Sequence, residues 1–110
     1  MEKTLPAEKG STLPRAKERL ANVYGDRLRG VILYGSEARG EAVAESDIDL
    51  LVLLDGPIAL GPDLRTIVDA LYSLQLEVDR PIHATPADKN DYEAGDYAIY
   101  RKAKSEGIVL

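Results

Sequence analysis

Cysteine, tryptophan and phenylalanine are missing from this chain, and it holds a single histidine and a single methionine. Without cysteine there is no disulfide framework and no thiolate metal site, so a metal ion would have to be held by carboxylates or the one imidazole. With six tyrosines as its only aromatic residues, the chain must build its core from Leu, Ile, Val and Ala. Long apolar runs are lacking too. The longest, Ile48 to Leu54, already contains Asp49 and falls far short of the ~20 residues that span a bilayer. The opening MEKTLPAEKGSTLPRAKERL has no apolar segment of signal-peptide type, so the expectation is a soluble, cytoplasmic protein without membrane contact.

Positive charge is also in short supply: 14 Lys and Arg face 19 Asp and Glu, for a net charge of −5. The basic residues are scattered, which excludes a general nucleic-acid binder, because phosphate-backbone contact needs them clustered. An acidic protein still binds a nucleotide if a metal ion brings the positive charge. At 110 residues the chain has room for one core and one site, and buries roughly two-thirds of the surface its unfolded form exposes.

What is present reads as a small α/β domain. Residues 1–13 have Pro6, Gly10 and no periodicity, and are expected to form a mobile arm ahead of a single domain over 14–110. PRAKERLANVYG suits a helix starting at Pro14 and stopping at Gly25, with Leu20, Val23 and Tyr24 as its buried stripe. RGVILY, 29–34, reads as a strand ending in a Gly-Ser turn, and Ser36 to Ala44 as a turn with about one helical turn in it.

Asp47 to Leu54 is a second strand, with Ile48, Leu50, Val52 and Leu54 on one face and Leu51 and Leu53 on the other, as a central strand requires. Beyond breaks at 55–57 and Gly61-Pro62, the three- and four-residue spacing of Leu64, Ile67, Val68, Leu71, Leu74 and Leu76 predicts a helix. RPIHATP, 80–86, predicts a third strand at a sheet edge because of Pro81, with His83 and Thr85 on one face. A polar helix or two, broken near Gly95, follows over 91–106. The expected order is αβ(turn)βαβα, with a short mixed sheet flanked by helices.

The chemistry concentrates in YGSEARGEAVAESDID, residues 34–49. Two aspartates separated by one residue on a strand project from the same face about 6.5 to 7 Å apart, close enough to converge on Mg²⁺. Mg²⁺ takes one or two protein carboxylates and completes its shell with water and substrate phosphates. Gly35 lets the backbone bend sharply near a phosphate, and Ser36 offers a hydroxyl and an N–H at the start of a short helix. Arg39 is a candidate phosphate clamp. GSEARGEA has the frame of a P-loop, but Glu41-Ala42 stands where Lys and Ser or Thr are required, and G-x-G-x-x-G is absent. Neither a P-loop nor a Rossmann site fits.

GS, ten residues and then DxD resembles the signature of the DNA polymerase β-type nucleotidyltransferases. The length resembles their minimal nucleotidyltransferase branch, whose members act as antitoxins beside HEPN-domain toxin proteins. The resemblance implies that Gly35 and Ser36 hold nucleotide phosphates and that Asp47 and Asp49 hold Mg²⁺ or Mn²⁺. It further implies transfer of AMP from ATP to an acceptor hydroxyl, on a tyrosine of the toxin in related antitoxins, within a homo-oligomer or hetero-complex. Family members place a third carboxylate on a later strand. Here the polar inward residue of that strand is His83, with Glu77 and Asp79 just before it, and the three are the candidates to complete the site as ligand or general base. The alternative is a module without turnover that neutralises its partner by covering it.

Overall fold

The computed structural model describes residues 7–110, with side chains from residue 12 onward. The elements are α1 (Ala7–Tyr24), a 3-10 turn (Gly25–Arg27), β1 (Leu28–Tyr34), α2 (Gly35–Arg39), β2 (Ile48–Leu54), α3 (Leu60–Gln75), β3 (Ile82–Asp88), α4 (Lys89–Ala94), α5 (Ala98–Glu106) and β4 (Ile108–Val109). The sheet order is β3-β2-β1-β4. β1 runs antiparallel to β2 and β4, and β2 runs parallel to β3. The sheet is therefore mixed, and the strand with apolar residues on both faces lies inside it.

The two faces of β2 separate two cores. Ile48, Leu50, Val52 and Leu54 pack with Leu13, Ala16 and Leu20 of α1 and Ile67, Leu71 and Leu74 of α3. Leu51 and Leu53 pack on the other side with Ile32, Ala87, Tyr92 of α4 and Ala103 of α5. Alternation along one strand thus supplies both layers. Among the described residues no helix is long and apolar enough to cross a membrane.

Several boundaries differ from expectation, each for a local reason. The first helix starts by Ala7 and carries Pro14 inside it; residues 1–6 of the expected arm lie outside the described residues. Leu13, Ala16 and Leu20 recur at helical spacing and are buried, so packing carries the helix past the proline, which stays on the exposed side. Val23, expected in the stripe, is exposed. Gly61 and Pro62 open α3 instead of breaking before it, since a proline in the first turn gives up no intrahelical bond. Only one side of α3 meets the sheet, so Leu64, Val68 and Leu76 face outward while Ile67, Leu71 and Leu74 are buried. The terminal Ile108-Val109 forms an edge strand on β1.

Candidate active site

Strand register gathers the site. Tyr34 at the end of β1 pairs with Asp49 near the start of β2, and Asp49 pairs in turn with His83 near the start of β3. One row across the sheet thus joins the residue before Gly35, the second aspartate and the only histidine. Asp47, Asp49 and His83 each offer a ligand atom within 4.8 Å of the others, and His83 Nδ1 lies 4.0 Å from Asp47 Oδ2. Two carboxylates are the donor set that Mg²⁺ or Mn²⁺ takes from a protein, so Asp47 and Asp49 fit the ion implied by the motif, with His83 beside them.

The other two candidates fall elsewhere. Glu77 follows the end of α3 and is held by a two-pronged contact from Arg15 of α1, at 3.0 and 2.9 Å, a hydrogen-bonded pairing that lowers the carboxyl's pKa. Asp79 lines the same side pocket as Arg15 and Glu77. Neither joins the Asp47, Asp49 and His83 group.

Gly35 begins α2 with φ +76°, and a Cβ there would collide with Asp49 Oδ2. The turn is therefore glycine for two reasons: its left-handed backbone and the carboxylate pressed against it. Gly40 closes α2 with φ 75°, its N–H donating to Glu37 O. The helix ends after five residues, returning the chain toward β2.

Tyr34, Gly35, Ser36, Arg39 and Asp49 line a cleft of about 480 Å³ whose opposite wall is Ala98, Ile99 and Lys102 of α5. Arg39 is there as expected, but its Nε donates to Glu41 at 2.7 Å and its Nη1 to Glu106 at 3.0 Å. Lys102 was not legible as a site residue. It reaches the cleft only because Ala103 beside it packs under the sheet, and no local motif marks it.

Burial, then the neighbouring Asp47 charge, raises the Asp49 carboxyl above its ordinary pKa, with His83 and Arg39 pulling the other way. Burial and the Asp49 charge likewise raise the Tyr34 phenol. A partly buried pair of carboxylates that repel one another is an arrangement a cation relieves.

A nucleotidyltransferase domain model matches residues 13–104. A Methanocaldococcus jannaschii protein named "Putative protein adenylyltransferase MJ0604" is 30% identical over 92 residues, covering 83% of this chain and 86% of that protein. A second from the same organism, "Putative protein adenylyltransferase MJ0141", is 35% identical over 63 residues, 56% of this chain and 64% of that one. Among solved structures, a chain from the crystal structure of a mutant of the toxin-antitoxin MntA-HpeT superposes with a TM-score of 0.57 at 17% identity, covering 97% of this chain and 72% of that one. That likeness establishes the fold. The chain belongs to the nucleotidyltransferase domain family and is a nucleotidyltransferase enzyme.

Proposed function

We propose that the protein transfers AMP from ATP to a hydroxyl on a partner protein, a HEPN-type toxin, and so acts as its antitoxin. The observation that carries this reading is the convergence of Asp47, Asp49 and His83 beside the Gly35-Ser36 turn, with Asp49 shared between the cluster and the cleft. The names of the two Methanocaldococcus jannaschii relatives support a protein as acceptor, and the fold shared with a toxin-antitoxin structure supports a toxin.

Within the cleft, Ser36 and the backbone at Gly35 receive the phosphates, and Lys102 faces them from α5. Asp47 and Asp49 would hold Mg²⁺ or Mn²⁺, which would supply charge stabilisation for the displacement. The acceptor oxygen bonds to the α-phosphorus, the bond from that phosphorus to the β-phosphate oxygen breaks, and pyrophosphate departs. His83, with a side chain 70% exposed, is open to the incoming acceptor. In this role a ring nitrogen of His83 takes the hydroxyl proton.

The test is incubation with α-labelled ATP, Mg²⁺ or Mn²⁺, and the product of the adjacent gene, comparing wild type with Asp47→Asn/Asp49→Asn. Label on the partner from wild type alone is the expected result. A wild-type protein that binds and silences the partner yet labels nothing would leave the covering alternative in its place.

A further inference from the structure

Asp49 is fixed by the sheet, paired on both sides, but Asp47 is not. It precedes β2, and the first rung beyond it is Ile48 N–H donating to Pro81 O at 2.8 Å. Among the described residues, one side chain from outside the loop binds its carbonyls at Ser46 and Asp47. Arg80 Nε donates to Ser46 O at 2.7 Å and Nη2 to Asp47 O at 3.4 Å. The third corner of the same guanidinium, Nη1, lies 2.6 Å from Glu37 Oε1, with the two side chains only 10% and 6% exposed. Glu37 sits in α2 next to Ser36.

Arg80 is itself anchored: Gln75 Nε2 donates to its carbonyl at 2.9 Å while Gln75 Oε1 accepts from Ile82 N–H at 2.7 Å. One buried guanidinium therefore ties together the helix that carries Ser36, the loop that carries Asp47 and the lead into the strand that carries His83. A buried ion pair is weak as a source of stability, because desolvating both charges offsets their attraction. A planar fork that donates to two loop carbonyls while its third corner pairs with a carboxylate is strong as a source of geometry.

We infer that Arg80, held by Glu37, is the positioning residue of this site, setting Asp47 at the distance from Asp49 that a divalent cation needs. The inference rests on the metal-dependent nucleotidyltransferase reading and adds to it the residue pair on which metal affinity depends. Neither side chain touches nucleotide or acceptor in this role.

The experiment measures Mn²⁺ binding by the disappearance of the free-ion electron paramagnetic resonance signal, alongside thermal melting. Glu37→Met/Arg80→Met removes both charges together and keeps apolar bulk, so its melting temperature should stay near that of wild type. Arg80→Lys keeps a charge for Glu37 but loses the fork, and decides the matter if the double variant does not fold. In both, the Mn²⁺ dissociation constant should rise about 10- to 100-fold, as for loss of a group that orients a metal ligand. Asp49→Asn, which removes a ligand outright, should abolish binding and so show that the site is the one described. If Asp49→Asn abolishes binding and folded Arg80 variants still bind Mn²⁺ like wild type, the positioning role is overturned and the nucleotidyltransferase reading stands. A wild-type protein that binds no Mn²⁺ would overturn both.

Discussion

Replacing Gly35 by alanine separates what the turn does for folding from what it does for the site. At φ +76° an L-residue is strained by roughly 1–2 kcal/mol, while alanine in place of glycine recovers about 0.4–1 kcal/mol by restricting the unfolded chain. The net loss is about 1 kcal/mol, a fall in Tm of roughly 4–8 °C for a domain of this size. The effect on the site is much larger. The new methyl group would press inside contact distance of Asp49 Oδ2, so the carboxylate must shift from its present place, and a displacement of about 1 Å at a reacting centre costs on the order of 100-fold in rate.

Gly25→Ala is the control. Its φ is +57° and its Cβ would meet nothing within 4 Å, so it carries the same backbone strain without the collision. Both variants should melt a few degrees below wild type, and only Gly35→Ala should lose Mn²⁺ affinity and turnover. A Gly35→Ala protein with wild-type affinity and rate would refute the placement of Asp49 against the turn.

Other expectations follow from named groups. His83→Ala should slow transfer by about 10²–10⁴-fold, the usual value of a positioned base, with Mn²⁺ affinity little changed; a collapse in affinity would instead make His83 a metal ligand. Because the folded state raises the Asp49 carboxyl, chiefly by burial, it binds the proton more tightly than the unfolded chain does. This group's contribution to stability therefore declines as pH rises through its folded pKa. Asp49→Asn should accordingly melt higher than wild type at neutral pH without metal, and a lower melting temperature would contradict the assignment. Asp63 works in the opposite sense. Its hydrogen bonds from Arg27, at 2.7 and 3.0 Å, are the main cause holding its carboxyl below the ordinary value. Its contribution is present above the unfolded pKa and lost as pH falls through the folded one. Asp63→Asn should cost about 1.5–3 kcal/mol at neutral pH by urea unfolding, with the gap to wild type closing in acid, while Mn²⁺ binding is unaffected.

The parts of this protein that were legible in its sequence are those encoded by short-range pattern. Alternation from Ile48 to Leu54 identified the central strand and both of its faces, and Pro81 marked the edge on which His83 lies. The Gly-Ser turn and the aspartates could be joined because a single hairpin connects them, β1 to β2. Which of Glu77, Asp79 and His83 lies beside the aspartates was not legible, because it turns on where α3 ends and on a long-range contact from Arg15 that draws Glu77 away. The places of Lys102 and the Arg80–Glu37 pair were hidden for a related reason: Lys102 and Arg80 lie far along the chain from the motif they neighbour, and no local spacing marks either. The exposed side of α3 shows the limit of periodicity itself, since Leu64 and Val68 follow the same spacing as buried Ile67 and Leu71 yet face solvent.

The central claim, that Asp47, Asp49 and His83 perform nucleotidyl transfer, is tested most directly by measuring pyrophosphate release together with α-label on the partner protein. Wild type should release one pyrophosphate for each AMP attached in the presence of Mg²⁺ or Mn²⁺, and Asp47→Asn/Asp49→Asn should give neither product. Equal labelling by the double variant, or label on the partner without pyrophosphate, would contradict the claim.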